Sequence, residues 1–192
     1  MTIPGAFDPL RILKALNAAG VRYVVIGAFA GRILGSPTLT RDIDLCHARD
    51  AENHQALAGV LQRLNARLRG VDRGVPFQLD PFSLAAGDAF TFVTDAGDLD
   101  ILGTPAGTSG YDDLIRTADS IDLDGLTVHV AAIDDLMRMK RAAGRPKDLI
   151  ELEILAALRD EIDAAPWSSW HYPVRKSPGD YTSLASCQQV IG

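Results

Sequence analysis

Two carboxylates stand one residue apart in SPTLTRDIDLC, at Asp42 and Asp44. The run around them is apolar, and a loop rich in hydroxyls precedes it. An extended chain alternates its side chains, so Asp42 and Asp44 share a face while Ile43 and Leu45 share the other. Such a pair is equally a solvated strand end, until other carboxylates join it. A second acidic run, GDLDIL, carries Asp98 and Asp100. Asp100 lies between Leu99 and Ile101, where a bare carboxylate is costly unless paired or bound to metal. Asp98 lies nearer a turn and is more easily solvated, so Asp100 is the better third carboxylate. Asp42, Asp44 and Asp100 on neighbouring strands would form a hard oxygen site. Mg²⁺ favours such a site, using one or two carboxylates with waters and phosphates. Two ions about 3.5–4 Å apart can clamp an in-line phosphoryl or nucleotidyl displacement, and their charge offsets the crowding of the aspartates. Asp100 could also serve as general base on an attacking hydroxyl.

Two further stretches carry chemistry. VVIGAFAGRIL reads as a strand, a tight turn at Gly27 and a short helix over 28–34. The free N–H groups at the start of that helix suit a phosphate, although the same turn also occurs without a ligand. MKRAAGRPKDLIEL gathers Lys140, Arg145 and Lys147 in an otherwise acidic chain. Local positive charge suits a triphosphate and its leaving group, and equally suits a helix end. Asp148 is placed to pair with one of these cations.

The elements that must position these groups are legible. Asp8-Pro9 opens a helix carrying Leu10, Leu13 and Leu16, which Gly20 stops. VRYVVI is a buried strand, and another covers 42–46. Asp50 caps an amphipathic helix carrying Leu57, Val60, Leu61, Leu64 and Leu68. An irregular stretch over 70–88 contains one weak strand near Phe77 to Leu79. Two strands flank the turn at Asp95-Ala96-Gly97, and a short helix follows near 111–118. A hairpin turns at Asp124-Gly125, helices span 133–143 and 146–164, and Gly144 separates them. His47 and His129 read as surface histidines and His54 as one on an exposed helix face. Asp134 and Asp135 read as helix-start charges. The fold class expected is α/β (α+β): a mixed sheet flanked by helices, with a helical C-terminal part. The organisation expected is a core over 1–132, packed helices over 133–165 and an irregular tail over 166–192, docked through Trp167 and Trp170 or left disordered.

Bulk properties exclude several classes. Of 192 residues, 47% are hydrophobic and the formal net charge is -6, so no global basic field is available to hold a nucleic-acid duplex. No apolar run approaches the roughly 20 residues of a membrane span. Cys46 and Cys187 lie far apart without metal-ligand spacing. With no secretory signal, a cytoplasmic protein is expected.

Together these residues resemble the polymerase-beta-type nucleotidyltransferases. That superfamily carries a strand, a glycine turn and a helix, then Asp-x-Asp, then a third acidic residue on a later strand. Here those positions read Gly27-Ala28, Asp42-Ile43-Asp44 and Leu99-Asp100-Ile101. Val21 to Leu45 most resembles minimal bacterial members, including AbiEii-type toxins, and KRAAGRPKDLIEL resembles a helical signature of small antibiotic nucleotidyltransferases. The resemblance covers 8 to about 160. It implies a nucleotidyltransferase-like sheet with the acidic strands adjacent, Mg²⁺ or Mn²⁺, and an NTP donor whose NMP passes to a hydroxyl acceptor with release of pyrophosphate. The acceptor classes it implies are tRNA, protein and small molecules such as antibiotics. Asp42, Asp44 and Asp100 would hold metal. Gly27, Ala28, Arg32, Thr40, Lys140, Arg145 and Lys147 would face the nucleotide. The sequence departs from the pattern at Ala28, where Ser or Gly is common, and at SPTLT, where an Arg is common and Arg32 or Arg41 would have to substitute. Glu151 stands where Asp is common. The departures motivate an alternative: a catalytically weak binding partner in a toxin–antitoxin pair.

Overall fold

The structure is a computed structural model and describes residues 7–71 and 77–164. The expected tail, with Trp167, Trp170 and Cys187, lies outside the described residues. Seven helices and seven strands alternate in the order α1 (Pro9–Ala18), β1 (Tyr23–Ile26), α2 (Gly27–Ile33), β2 (Asp42–His47), α3 (Ala51–Arg63), β3 (Arg67–Leu68), α4 (Pro81–Ala86), β4 (Ala89–Thr94), β5 (Gly97–Leu102), α5 (Tyr111–Leu114), β6 (Asp119–Leu123), β7 (Leu126–Val130), α6 (Ile133–Ala143) and α7 (Pro146–Ala164) among the described residues. The strands form one mixed sheet in the order β3-β4-β5-β2-β1-β7-β6. β2 runs antiparallel to β1 and parallel to β5, which sets the two acidic strands side by side.

The sheet's two faces are covered differently. Ile43, Leu45, Phe92, Leu99 and Ile101 are fully or almost fully buried on one face. His47 continues the alternation of Ile43 and Leu45, and its ring lies 5.4 Å from that of His54 on α3. α3 therefore covers that face. On the other face α2 lies over β2 at Gly27, and Leu155 of α7 packs 3.5 Å from where a side chain on Gly31 would begin. Thr91 and Val93 of β4 are exposed on this second face, so the sheet is open beyond β5.

Local sequence explains most termini. The Asp8 carboxylate accepts from the Arg11 N–H at 3.0 Å and Asp50 from Asn53 at 3.1 Å, capping α1 and α3. Asp124 and Gly125 adopt φ of 56° and 77°, the left-handed pair that closes a tight hairpin. Gly144, at φ 63°, ends α6.

Four expectations are corrected. Leu68 is not on α3: Asn65 turns left-handed at φ 52° after the helix ends, and Leu68 pairs with Phe92 in β3. Phe77 to Leu79 is not a strand, and a short helix follows it instead, capped where Asp80 accepts from Ser83 N–H at 2.7 Å. The helix at Tyr111 ends at Leu114. His47 and His54 are buried, not exposed, with 1% and 2% of their surface accessible. The His47 Nδ1 lies 3.0 Å from the Leu102 carbonyl, and burial, with His54 beside it, pushes its pKa down to about 4. His47 is therefore neutral across the physiological range, and burial lowers the His54 pKa as well. His129 is exposed as expected, 3.2 Å from the Ser120 hydroxyl. Asp135 does more than complement a helix start. It is buried, and Arg138 donates to it at 2.8 Å.

Asn53 joins three segments. Its side chain accepts from Arg22 N–H at 2.7 Å and donates to the carbonyls of Arg22 at 3.1 Å and Ala48 at 2.8 Å. Asn53→Ala is expected to lose about 3 kcal/mol in urea unfolding, because buried backbone groups lose their partners.

Candidate functional site

Strand register builds the acidic cluster. Asp44 lies opposite Asp100, and Asp42 opposite Asp98. Residues directly opposite in a sheet point to one face, so all four carboxylates share the partly open face. The same row extends outward: Asp100 lies opposite Thr91, and Arg69 follows β3 with its N–H on the Thr91 carbonyl at 2.9 Å. Arg69, Thr91, Asp100 and Asp44 thus form one line across four strands.

Each carboxylate has a different environment. Asp42 accepts a short hydrogen bond from the Thr40 hydroxyl. Asp44 sits over Gly27, whose absent Cβ would fall 2.0 Å from its Oδ2. Burial, reinforced by the charges of Asp42 and Asp100, raises the Asp44 pKa to about 7, while Lys140 and Lys147 oppose the rise. The Asp100 pKa is also raised by burial, against the pull of Arg69. Arg69 holds both Asp100 oxygens at 2.8 Å and reaches Asp98 at 2.9 Å.

A cationic wall faces Asp44. Gly27, Ala28, Ser36, Thr38, Lys140 and Glu151 line one crevice. The start of α2 has no side-chain capping hydrogen bond, and the Asp44 carboxylate lies over its first residue, Gly27. Lys140 is ion-paired with Glu151 and lies 3.3 Å from Asp148. Asp148 is buried, and Arg145 donates to it through Nε at 2.8 Å and through its backbone N–H at 3.1 Å. The Arg145 contacts pull the Asp148 pKa down to about 2, and Lys140 adds to the effect.

Most of the residues expected at the site therefore converge. Asp42, Asp44 and Asp100 share a face, Thr40 touches Asp42, and Gly27, Ala28 and Lys140 share the crevice. Arg145 and Lys147 are exposed and do not line the crevice, though the charge of Lys147 acts on Asp44 and that of Asp44 on Arg145. Arg32 does not line the crevice; it stands exposed in the last turn of α2. Arg69 was missed, and Asp98, set aside in the sequence as the more easily solvated carboxylate, is the more exposed of the two, at 37% against 16% for Asp100. Arg69 follows a two-residue strand within the apparent continuation of a helix, and only the alternation of GDLDIL pointed to Asp98.

The carboxylates fit a hard divalent cation in part. Asp42 and Asp44 would offer one or two carboxylate ligands, which suits Mg²⁺ when phosphates and waters complete its shell. Among the described residues no three such side chains converge on one point as they stand, and Asp100 is engaged by Arg69.

No family model and no curated protein matches the sequence. Solved structures do match. The lincomycin-bound lincosamide antibiotic adenylyltransferase LnuA superposes with a TM-score of 0.54 at 14% identity, over 78% of this chain and 95% of that one. The chain has a nucleotidyltransferase fold. Weaker likenesses join it: the antibiotic-resistance factor ANT(2'')-Ia, with a TM-score of 0.47 at 17% identity over 81% of this chain and 89% of that one, and an antigenic nucleotidyltransferase-like protein from Paracoccidioides brasiliensis, with 0.48 at 17% over 83% and 79%. Among the described residues, no helix is long and apolar enough to cross a membrane.

Proposed function

We propose that the chain is a divalent-metal-dependent nucleotidyltransferase that moves an NMP from an NTP to an acceptor hydroxyl and releases pyrophosphate. One observation carries this reading: Asp44 and Asp100 lie in register on one sheet face, directly beside the uncapped turn and the Lys140 wall. Bound Mg²⁺ or Mn²⁺ would supply Lewis-acid stabilisation of the phosphoryl oxygens. Asp42 and Asp44 would hold it, with the Asp42 carboxylate hydrogen-bonded by the Thr40 hydroxyl. The N–H groups of Gly27 and Ala28 bind phosphate oxygens. Lys140 neutralises the triphosphate, with Lys147 and Arg145 on the outer side. Asp100 takes the acceptor proton or joins the metal ligands. The acceptor approaches over the open floor of β4, where Thr91 and Val93 are exposed. A small hydroxylated acceptor is supported by the fold shared with a lincosamide adenylyltransferase.

Isothermal titration with each of the four NTPs tests donor binding. Binding is expected with Mg²⁺ or Mn²⁺ and not without, and nucleotide-independent behaviour throughout would contradict the proposal. One observation favours the alternative of a partner-binding protein from a toxin–antitoxin pair: Leu149 and Ile150 are 62% and 65% exposed at the start of α7. That reading predicts a tight complex with a second protein and no metal-dependent labelling of any acceptor.

The Asp44 pKa gives a pH prediction. Aspartate ordinarily titrates near 3.8, and here near 7. Between those values the folded chain keeps a proton that the unfolded chain releases, so stability falls as pH rises through this window. Above pH 7 the full cost is on the order of 4 kcal/mol. A divalent cation on Asp44 offsets it. The thermal shift produced by Mn²⁺ is therefore expected to be larger at pH 8 than at pH 5, as differential scanning fluorimetry would measure.

A further inference from the structure

Arg69 reaches into the acidic cluster from the sheet edge, and it carries a role that the reaction itself does not require. Its Nη2 sits 2.8 Å from each Asp100 oxygen, between the two. A divalent ion held by that carboxylate would compete with the guanidinium for the same two oxygens. Its Nη1 holds Asp98 at 2.9 Å, two residues before Asp100 on β5 and so on the same face. The Arg69 backbone is fixed to β4, so only its side chain has to move. Four carboxylates on one face repel each other in the absence of a cation, and Arg69 supplies the missing charge.

We propose that Arg69 is a charge latch: it occupies Asp100 in the metal-free protein, and a divalent cation gains Asp100 only as Arg69 withdraws onto Asp98. The inference rests on the metal-dependent reading given above. It gives Asp98 a purpose as the resting place of the guanidinium. It also makes full metal loading depend on the nucleotide, because the phosphates supply the ligands that displace the arginine.

The test is Mn²⁺ titration of the full chain without nucleotide, read by the electron paramagnetic resonance signal of free Mn²⁺. Arg69→Gln is expected to bind Mn²⁺ about 10-fold more tightly than the unaltered protein, because the competing charge is gone. Arg69→Lys, which keeps a point charge without the two-pronged fork, is expected to fall between them and carries the test if Arg69→Gln does not fold. Equal or weaker binding by the variants would overturn the latch, since a residue that merely orients Asp100 would loosen the metal when removed. If neither form binds Mn²⁺ alone but both bind it with a non-hydrolysable NTP analogue, the latch is wrong and the nucleotidyltransferase reading stands. If neither binds under any condition, both fall.

Discussion

Asp44→Asn is expected to reduce nucleotidyl transfer by about 10³-fold or more while leaving the fold intact. The substitution keeps the size of the side chain and removes only its charge. A metal-bound carboxylate contributes several kcal/mol of transition-state stabilisation, and about 4 kcal/mol corresponds to 10³ in rate. The variant is also expected to be more stable than the parent in metal-free buffer at pH 8. The parent there holds an ionised Asp44 that burial and the neighbouring Asp42 and Asp100 disfavour. Loss of transfer together with a higher melting temperature separates loss of function from loss of fold. Asp42→Asn is expected to lose transfer to a similar degree, and its melting temperature serves as a check on the Thr40 hydrogen bond.

Gly27→Ala is expected to be strongly destabilising, at about 3–5 kcal/mol in urea unfolding. Two effects combine. The backbone at Gly27 has φ +70°, which an L side chain resists by about 1–2 kcal/mol. The new Cβ would also fall 2.0 Å from Asp44 Oδ2 and 2.7 Å from its Cγ, so the turn or the carboxylate has to move. Gly20→Ala is the control: its φ is +67°, yet nothing lies within 4 Å of the added atom. The difference between the two variants measures the collision with Asp44. In an Asp44→Ala background the excess cost of Gly27→Ala should shrink, and a double-mutant cycle would register it.

That turn marks how far the sequence could be read. Gly27 was legible as a place needing close approach, but what approaches first is Asp44, which only the pairing of Ile26 with Asp44 reveals. The acidic strands were legible because their alternation is local. Their adjacency rested on resemblance, since β4 follows a long irregular stretch and a parallel pairing leaves no mark in either strand. Arg69 was not legible, because Asn65 breaks α3 without a glycine and β3 is only two residues long. The histidines were misjudged for a different reason. His47 continues the buried alternation of Ile43 and Leu45, and His54 lies one helical turn before the buried Ala58, so the pattern marked both as interior while their polarity suggested the surface. α6 and the start of α7 were legible to the residue because Gly144 and Pro146 punctuate them.

The central claim is that the carboxylates of β2 and the cationic wall facing them transfer a nucleotide. It is tested most directly by incubating the full chain with α-labelled NTPs and Mg²⁺ or Mn²⁺. The acceptors are the protein itself, total RNA, bacterial lysate, and a panel of aminoglycosides and lincosamides. Label entering one acceptor class, dependent on the metal and absent from the Asp42→Ala, Asp44→Ala double variant, is the predicted result. Label entering nothing while the folded protein is present, or entering equally with the double variant, would contradict it.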